Sequence, residues 1–138
     1  MTGGINLGKP PNYTPALQIG TARFATLHPM KIPPFPFTIT DWRDVPSIEH
    51  PGESGVAVWR TLKFGEIRVR MVEYSAEYLA DHWCSKGHIL LCLEGELETE
   101  LADGKMFTLT AGMSYQVGDG DPPHRSATQG GAKLFIVD

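Results

Sequence analysis

From residue 56 onward, apolar and polar side chains alternate in short runs, with almost no recurrence at the three- and four-residue intervals of a helix face. The runs 56–62, 66–74, 88–93, 96–101, 106–109, 114–117, 125–128 and 133–137 read as strands, each bounded by turn residues. So many short strands in this length predict a closed or two-sheet all-β structure. Asp103-Gly104, lying between Leu101 and Phe107, predicts a two-residue hairpin turn with both central residues at positive φ, pairing 96–101 with 106–109. In the first of these strands Leu97, Thr99 and Leu101 share one face, and Glu96, Glu98 and Glu100 share the other. Alternating acids are the usual solvated face of an antiparallel strand. Arg68 and Arg70, interleaved with Ile67, Val69 and Met71, read as a basic counterpart, and neither row is assigned chemistry.

Upstream the pattern changes. Nine of the eleven prolines fall within residues 10–51, and proline, lacking an N–H and clashing with a preceding turn, excludes regular helix and central strand there. Residues 1–37 are therefore expected to be an extended Pro-rich N-terminal arm, followed by a β-barrel domain over 38–138. The text from Met30 reads as a fresh beginning, which makes 1–29 an upstream extension. The first forty residues contain no Asp or Glu but lack the Arg-rich amphipathic pattern of a transit peptide.

The 138 residues, 41% hydrophobic, are enough for one ordinary core. A formal net charge of −4 gives no basic footprint, so nucleic acid and anionic membrane are not expected partners. A small neutral or cationic ligand is compatible with that balance. The longest apolar run, 89–93, is far below the roughly 20 residues of a membrane-spanning helix. Cys84 and Cys92, in a chain without a signal-peptide pattern, point to a reducing, cytoplasmic compartment with free thiols or metal ligation rather than a disulfide.

The chemistry concentrates in Asp81-His82-Trp83-Cys84-Ser85-Lys86-Gly87-His88, joined by the distant His124. Imidazole and thiolate suit divalent transition ions, zinc first, with iron, copper and nickel as alternatives, and a bound cation would hold Cys84 as its thiolate. The even spacing of His82, Cys84 and His88 puts them on one side of an extended chain. A turn at Ser85-Lys86-Gly87 and a hairpin before His124 would bring all four to one ion. Cys92 shares parity with His88 and Leu90 and is expected inside as a small core hydrophobe. His28 and His50, alone in Pro-rich loops, are read as ordinary surface residues. Asp119 and Asp121 lack the further oxygen ligands of a calcium loop and are read as a turn delivering His124. Asp81 is placed to orient a ligating imidazole. Tyr74, Phe107, Tyr115 and Phe135 are candidates for cavity walls.

Residues 76–95 and 112–128 resemble the two motifs of the cupins, small β-barrel proteins. The first runs Gly-x5-His-x-His-x3,4-Glu-x6-Gly. His82 stands at its first histidine, Cys84 at the second, His88 at the glutamate, and Gly95 at the closing glycine. In the second motif Gly112, Gly120 and His124 match, with one extra residue before the histidine. Ala76, Gly118 and Thr128 replace the usual glycine, proline and asparagine. Asp81-His82-Trp83-Cys84 and the tail 132–138 look like the small cupin group labelled by an Asp-His-Cys-Trp motif, here with tryptophan before cysteine. The resemblance implies a double-stranded β-helix, or jelly-roll barrel, a metal at His82, Cys84, His88 and His124, a small-molecule ligand, and a homodimer. Two functions fit it. Four protein ligands on a six-coordinate ion such as iron, or three histidines beside a free Cys84, leave positions for metal-dependent oxidative or hydrolytic chemistry. Zinc held by all four residues would instead be closed and structural, or serve a ligand-binding protein.

Overall fold

The alternating runs form a curled antiparallel sheet whose two faces are told apart by burial. The structure is a computed structural model and describes residues 32–120 and 122–138. Phe24, Leu27, His28, Met30 and Asp121 therefore lie outside the described residues, and with them the expected upstream extension. Residues 32–41 have no regular secondary structure, and a short 3-10 turn follows at Trp42–Asp44. The strands are β1 (Ser47–Pro51), β2 (Val56–Phe64), β3 (Ile67–Tyr74), β4 (Tyr78–Leu79), β5 (His88–Leu101), β6 (Met106–Thr110), β7 (Ser114–Val117), β8 (His124–Thr128) and β9 (Ala132–Val137).

Two of the expected strands, 88–93 and 96–101, are one continuous β5. Its first half pairs with β7 and β9, and its second half with β6 and β8. One layer thus runs β1-β2-β3-β9-β5-β7 and the other β6-β5-β8-β4, with β5 turning the corner between them. The corner is a bulge between Cys92 and Glu94, where the register against β9 slips by one residue. Before it the even positions His88, Leu90 and Cys92 are buried. After it the odd positions Leu97 and Thr99 are buried, while Glu96 is exposed and Glu98 and Glu100 are half-buried. The acidic row faces outward, as the sequence led us to expect.

Gly95, the closing glycine of the first motif resemblance, sits beside this bulge at φ 77°, and a Cβ there would lie 2.2 Å from the carbonyl oxygen of Gly131. Both the left-handed backbone and the close strand approach require glycine. Gly95→Ala is therefore expected to cost about 2–4 kcal/mol, readable as a lowered urea midpoint. An unchanged midpoint would show that the corner relaxes freely.

The Asp103-Gly104 turn does join β5 to β6 in the expected register, Glu96 opposite Thr110 through Glu100 opposite Met106. Its geometry differs from the expectation. Only Gly104 has positive φ, 88°. The Gly104 N–H donates to Leu101 and the Leu101 N–H to Lys105, a three-residue loop in which the Asp103 carboxylate accepts from the Lys105 N–H. The strands β1 and β4 are additions to the sequence reading. Pro51 closes β1 at the edge of its layer, where a missing N–H breaks no inner ladder. His50 consequently lies in a strand rather than a loop, its ring 4.1 Å from that of Trp59.

The core between the layers is built on Leu90, Leu97, Leu134, Val72 and Cys92, all fully buried, with each of the larger side chains contributing on the order of 2 kcal/mol. Cys92 is core, as its parity indicated. No helix among the described residues is long and apolar enough to cross a membrane.

Candidate metal centre

Cys84 and His124 are directly opposite one another. They form an isolated antiparallel bridge in which each backbone N–H donates to the other's carbonyl, at 2.8 and 3.0 Å, so their side chains project to the same side. His88, the first residue of β5, brings its ring to the same place, with its Nε2 3.1 Å from His124 Nε2. The Cys84 thiol and the two imidazoles offer ligand atoms that all lie within 4.8 Å of one another. The segment that carries Cys84 and Gly87 is tied to the loop before β8. Gly87 N–H donates to the Asp119 carboxylate at 2.7 Å, and Gly120 N–H to the Ser85 carbonyl. Asp119 thus serves the turn that delivers His124.

His82 is placed differently from its three companions. The chain bends at Asp81 and His82 and is extended only around Cys84, so the even-spacing argument, which holds only for a continuous strand, does not carry to residue 82. Its imidazole is exposed, with Nδ1 2.6 Å from the Asp81 carboxylate, and it lines the same cavity without joining the donor cluster.

The hydrogen bonds orient the two rings. His124 Nδ1–H donates to the Pro122 carbonyl at 3.1 Å, which turns Nε2 toward the cluster. His88 Nε2 sits between that nitrogen and the Tyr115 hydroxyl, 2.9 Å away, while its Nδ1 is buried without a partner among the described residues. Burial, then repulsion from His124 and Arg70, pushes His88 down to about 4, so it is neutral at physiological pH. Burial likewise raises Tyr74 and Tyr115, which remain neutral phenols. The Cys84 sulfur and the His88 and His124 rings, with their Nε2 atoms 3.1 Å apart, are a donor set suited to a transition cation.

The cavity over the cluster has a volume of 130 Å³, and Tyr74, Tyr115, Trp59, Arg68, Arg70 and Lys86 are among its walls. Arg70 overturns the reading of Arg68 and Arg70 as a solvated row. It is only 6% exposed, with its guanidinium 4.5 Å from the Trp59 ring and 2.8 Å from the Asp138 carboxylate. Arg68 grips the same carboxylate with two parallel hydrogen bonds of 2.7 Å. Burial opposes the charge on Asp138, yet the Arg68 hydrogen bonds and the two guanidinium charges hold its carboxyl below the ordinary value. For Arg70 burial dominates and pulls the guanidinium below its usual value. Alternation alone missed this pair, because the inner face here is lined by polar groups around a cavity rather than by core. Of the other aromatic candidates, Phe107 lines a separate apolar cavity and Phe135 packs edge-on against Trp42 on the outer face.

No protein-family model matches the chain, and no curated protein does. Solved structures do match. Ectoine synthase from P. lautus is 20% identical, with a TM-score of 0.60 over 73% of this chain and 76% of its own. A sugar phosphate isomerase of the cupin superfamily from Silicibacter pomeroyi is 15% identical, with a TM-score of 0.59 over 72% and 74%. The fold is that of the cupins. Fe(II)-HppE with the alternative substrate (S)-1-HPP gives a TM-score of 0.62 at 21% identity over 74% of this chain, which spans 60% of that one. At such identities the likeness establishes the cupin barrel and leaves the reaction to the residues inside it. The two stretches that carried the motif resemblance, 76–95 and 112–128, are those that supply Cys84, His88 and His124 to the barrel cavity.

Proposed function

We propose that this cupin binds a divalent transition metal through Cys84, His88 and His124, with His82 as a fourth, exchangeable donor, and acts on or binds a small molecule in the adjoining cavity. The observation that carries the reading is the meeting of one thiol and two imidazoles within 4.8 Å, on a scaffold that fixes the His124 tautomer. An iron-bearing neighbour on the same barrel, Fe(II)-HppE, supports the choice of a transition ion. His82 completes the His3Cys set by turning its exposed imidazole away from Asp81, which now holds it. An exposed fourth donor favours an open centre over a closed structural zinc site, in which all four ligands would be fixed.

A metal in this position would supply Lewis acidity, and with iron also redox chemistry, to a bound substrate. The chain's own residues do the rest. His124 is oriented by the Pro122 carbonyl, and His88 is kept unprotonated by burial. Tyr115 presents a neutral hydroxyl beside the donors, able to hydrogen-bond to a ligand there.

Metal analysis of protein purified without chelator tests the proposal. Cys84→Ser is expected to lower metal content severalfold, and Cys92→Ser, a change in the core, to leave the stoichiometry in place. Equal loss from the two variants would remove Cys84 from the site. In the cobalt-substituted protein, absorption typical of five or six ligands supports an open centre, and an intense tetrahedral spectrum supports structural zinc.

A further inference from the structure

The walls of the cavity over the metal centre carry four cationic side chains, Arg68, Arg70, Lys86 and Arg125, and no carboxylate. That is opposite in sign to the whole chain, whose formal net charge is −4. The acids that answer these cations stand behind them. Arg125 is paired with Glu100 and Glu53, at 3.3 and 3.8 Å, and the single carboxylate of Asp138 is shared by Arg68 and Arg70. Two guanidinium groups thus divide one side-chain carboxylate between them. The division is unequal, since Arg68 holds both carboxylate oxygens while Arg70 reaches only one. Arg70 is more than nine-tenths buried, and its Nε–H has no partner among the described residues. Lys86, exposed at the rim, has no ion-pair partner among the described residues. A buried cation with spare donors is costly unless something of opposite charge completes its shell.

A second cavity, of 220 Å³, shares two walls with the first, Tyr115 and His124. Its other walls are almost entirely apolar, among them Leu101, Phe107, Leu109, Val117 and Pro122. Tyr115 and His124 therefore form the wall between a cationic chamber, which holds the donor cluster, and an apolar one.

We infer that the ligand of this site is a small organic anion, its acid group held by Arg70 and Lys86 and its apolar body lying beyond His124 against Phe107 and Leu109. The assignment deepens the metal-centre reading by naming the substrate class. It rests on that reading for what happens to the ligand, and on the arginine cluster alone for its charge. The neutral or cationic ligand that overall composition allowed is replaced by an anionic one, because local charge at the cavity, rather than net charge, decides recognition.

Calorimetric titration with hexanoate, its neutral counterpart hexanamide, and the tail-less acetate tests the inference, using both zinc-loaded and chelator-treated protein. Hexanoate is expected to bind at least about tenfold tighter than either of the other two, as a charge-assisted hydrogen bond and a buried alkyl chain each imply. The preference over hexanamide is expected to persist without metal and to shrink severalfold in Lys86→Gln, a rim substitution that leaves the core intact, and in Arg70→Gln where that variant folds. Hexanoate binding no tighter than hexanamide, or no binding by either, overturns the anionic assignment. Acetate matching hexanoate overturns the apolar half. A preference seen only in the zinc-loaded protein would give the anion to the metal and remove the arginines, whereas a preference surviving in protein that binds no metal would leave the arginine site standing and sink the metal reading instead.

Discussion

Replacing His124 with alanine is expected to abolish stoichiometric metal binding, lowering zinc affinity by more than about a hundredfold, while the barrel stays folded. His124 is the donor that the fold commits most fully. Its backbone is paired with Cys84, its ring is 3.1 Å from that of His88, and its Nδ1 is anchored to Pro122. Alanine removes the lone pair at the meeting point without leaving a charge behind. It also frees His88 Nε2 from its closest polar neighbour but one, which Tyr115 still satisfies. The matching substitution His82→Ala is expected to cost only about tenfold, since an exposed side chain that must first leave Asp81 contributes less to a preformed site. Competition titration against a chromophoric chelator reads both. Equal losses would make His82 a fixed ligand and the centre closed, and a His124→Ala variant that keeps full affinity would remove the centre altogether.

The second large effect is on stability. Asp138→Asn is expected to cost about 3–5 kcal/mol in chemical denaturation, because it leaves Arg68 and Arg70 facing each other without their shared counter-charge. The pH dependence carries the signature. The Asp138 carboxyl is held below its ordinary value in the folded chain, so its contribution is fully present above the unfolded carboxyl value of about 4 and fades as pH falls through the lower folded value. As pH falls below about 4 the parent protein should therefore lose stability more steeply than Asp138→Asn. Parallel curves, or a variant within about 0.5 kcal/mol of the parent, would show that the cluster is solvated in solution and holds nothing together.

Much of this was legible in the letters, for reasons that can be named. Strand alternation found every strand longer than two residues from β2 onward, since each has one face on a core or cavity and one toward water. It passed over β1, which carries Pro51, and β4, which is too short to alternate. The glycine spacing of the motif resemblance was legible because Gly95 is a backbone necessity rather than a preference. Cys84, His88 and His124 were found by residue type and spacing, and the structure gathers them. His82 has the same signature in sequence, but the bends at Asp81 and His82 send it elsewhere, and no one-dimensional spacing reports a bend. Arg70 was missed for a related reason. An arginine between valine and methionine looks the same whether its face meets solvent or a cavity, and the partner that explains it, Asp138, is 68 positions away.

The extra residue at the corner of β5 sets a reading frame for the barrel. Because it exchanges even for odd positions as the inward set, the length of chain between Cys92 and Leu97 is fixed in a way that the length of the Ala102–Lys105 loop is not. A residue gained or lost in that loop would lengthen or shorten a hairpin tip, whereas one gained or lost at the corner would turn the three glutamates toward the leucine core or swing His88 out to solvent. The fold therefore tolerates a change of length at the Ala102–Lys105 tip and admits only substitution at the join between its two layers.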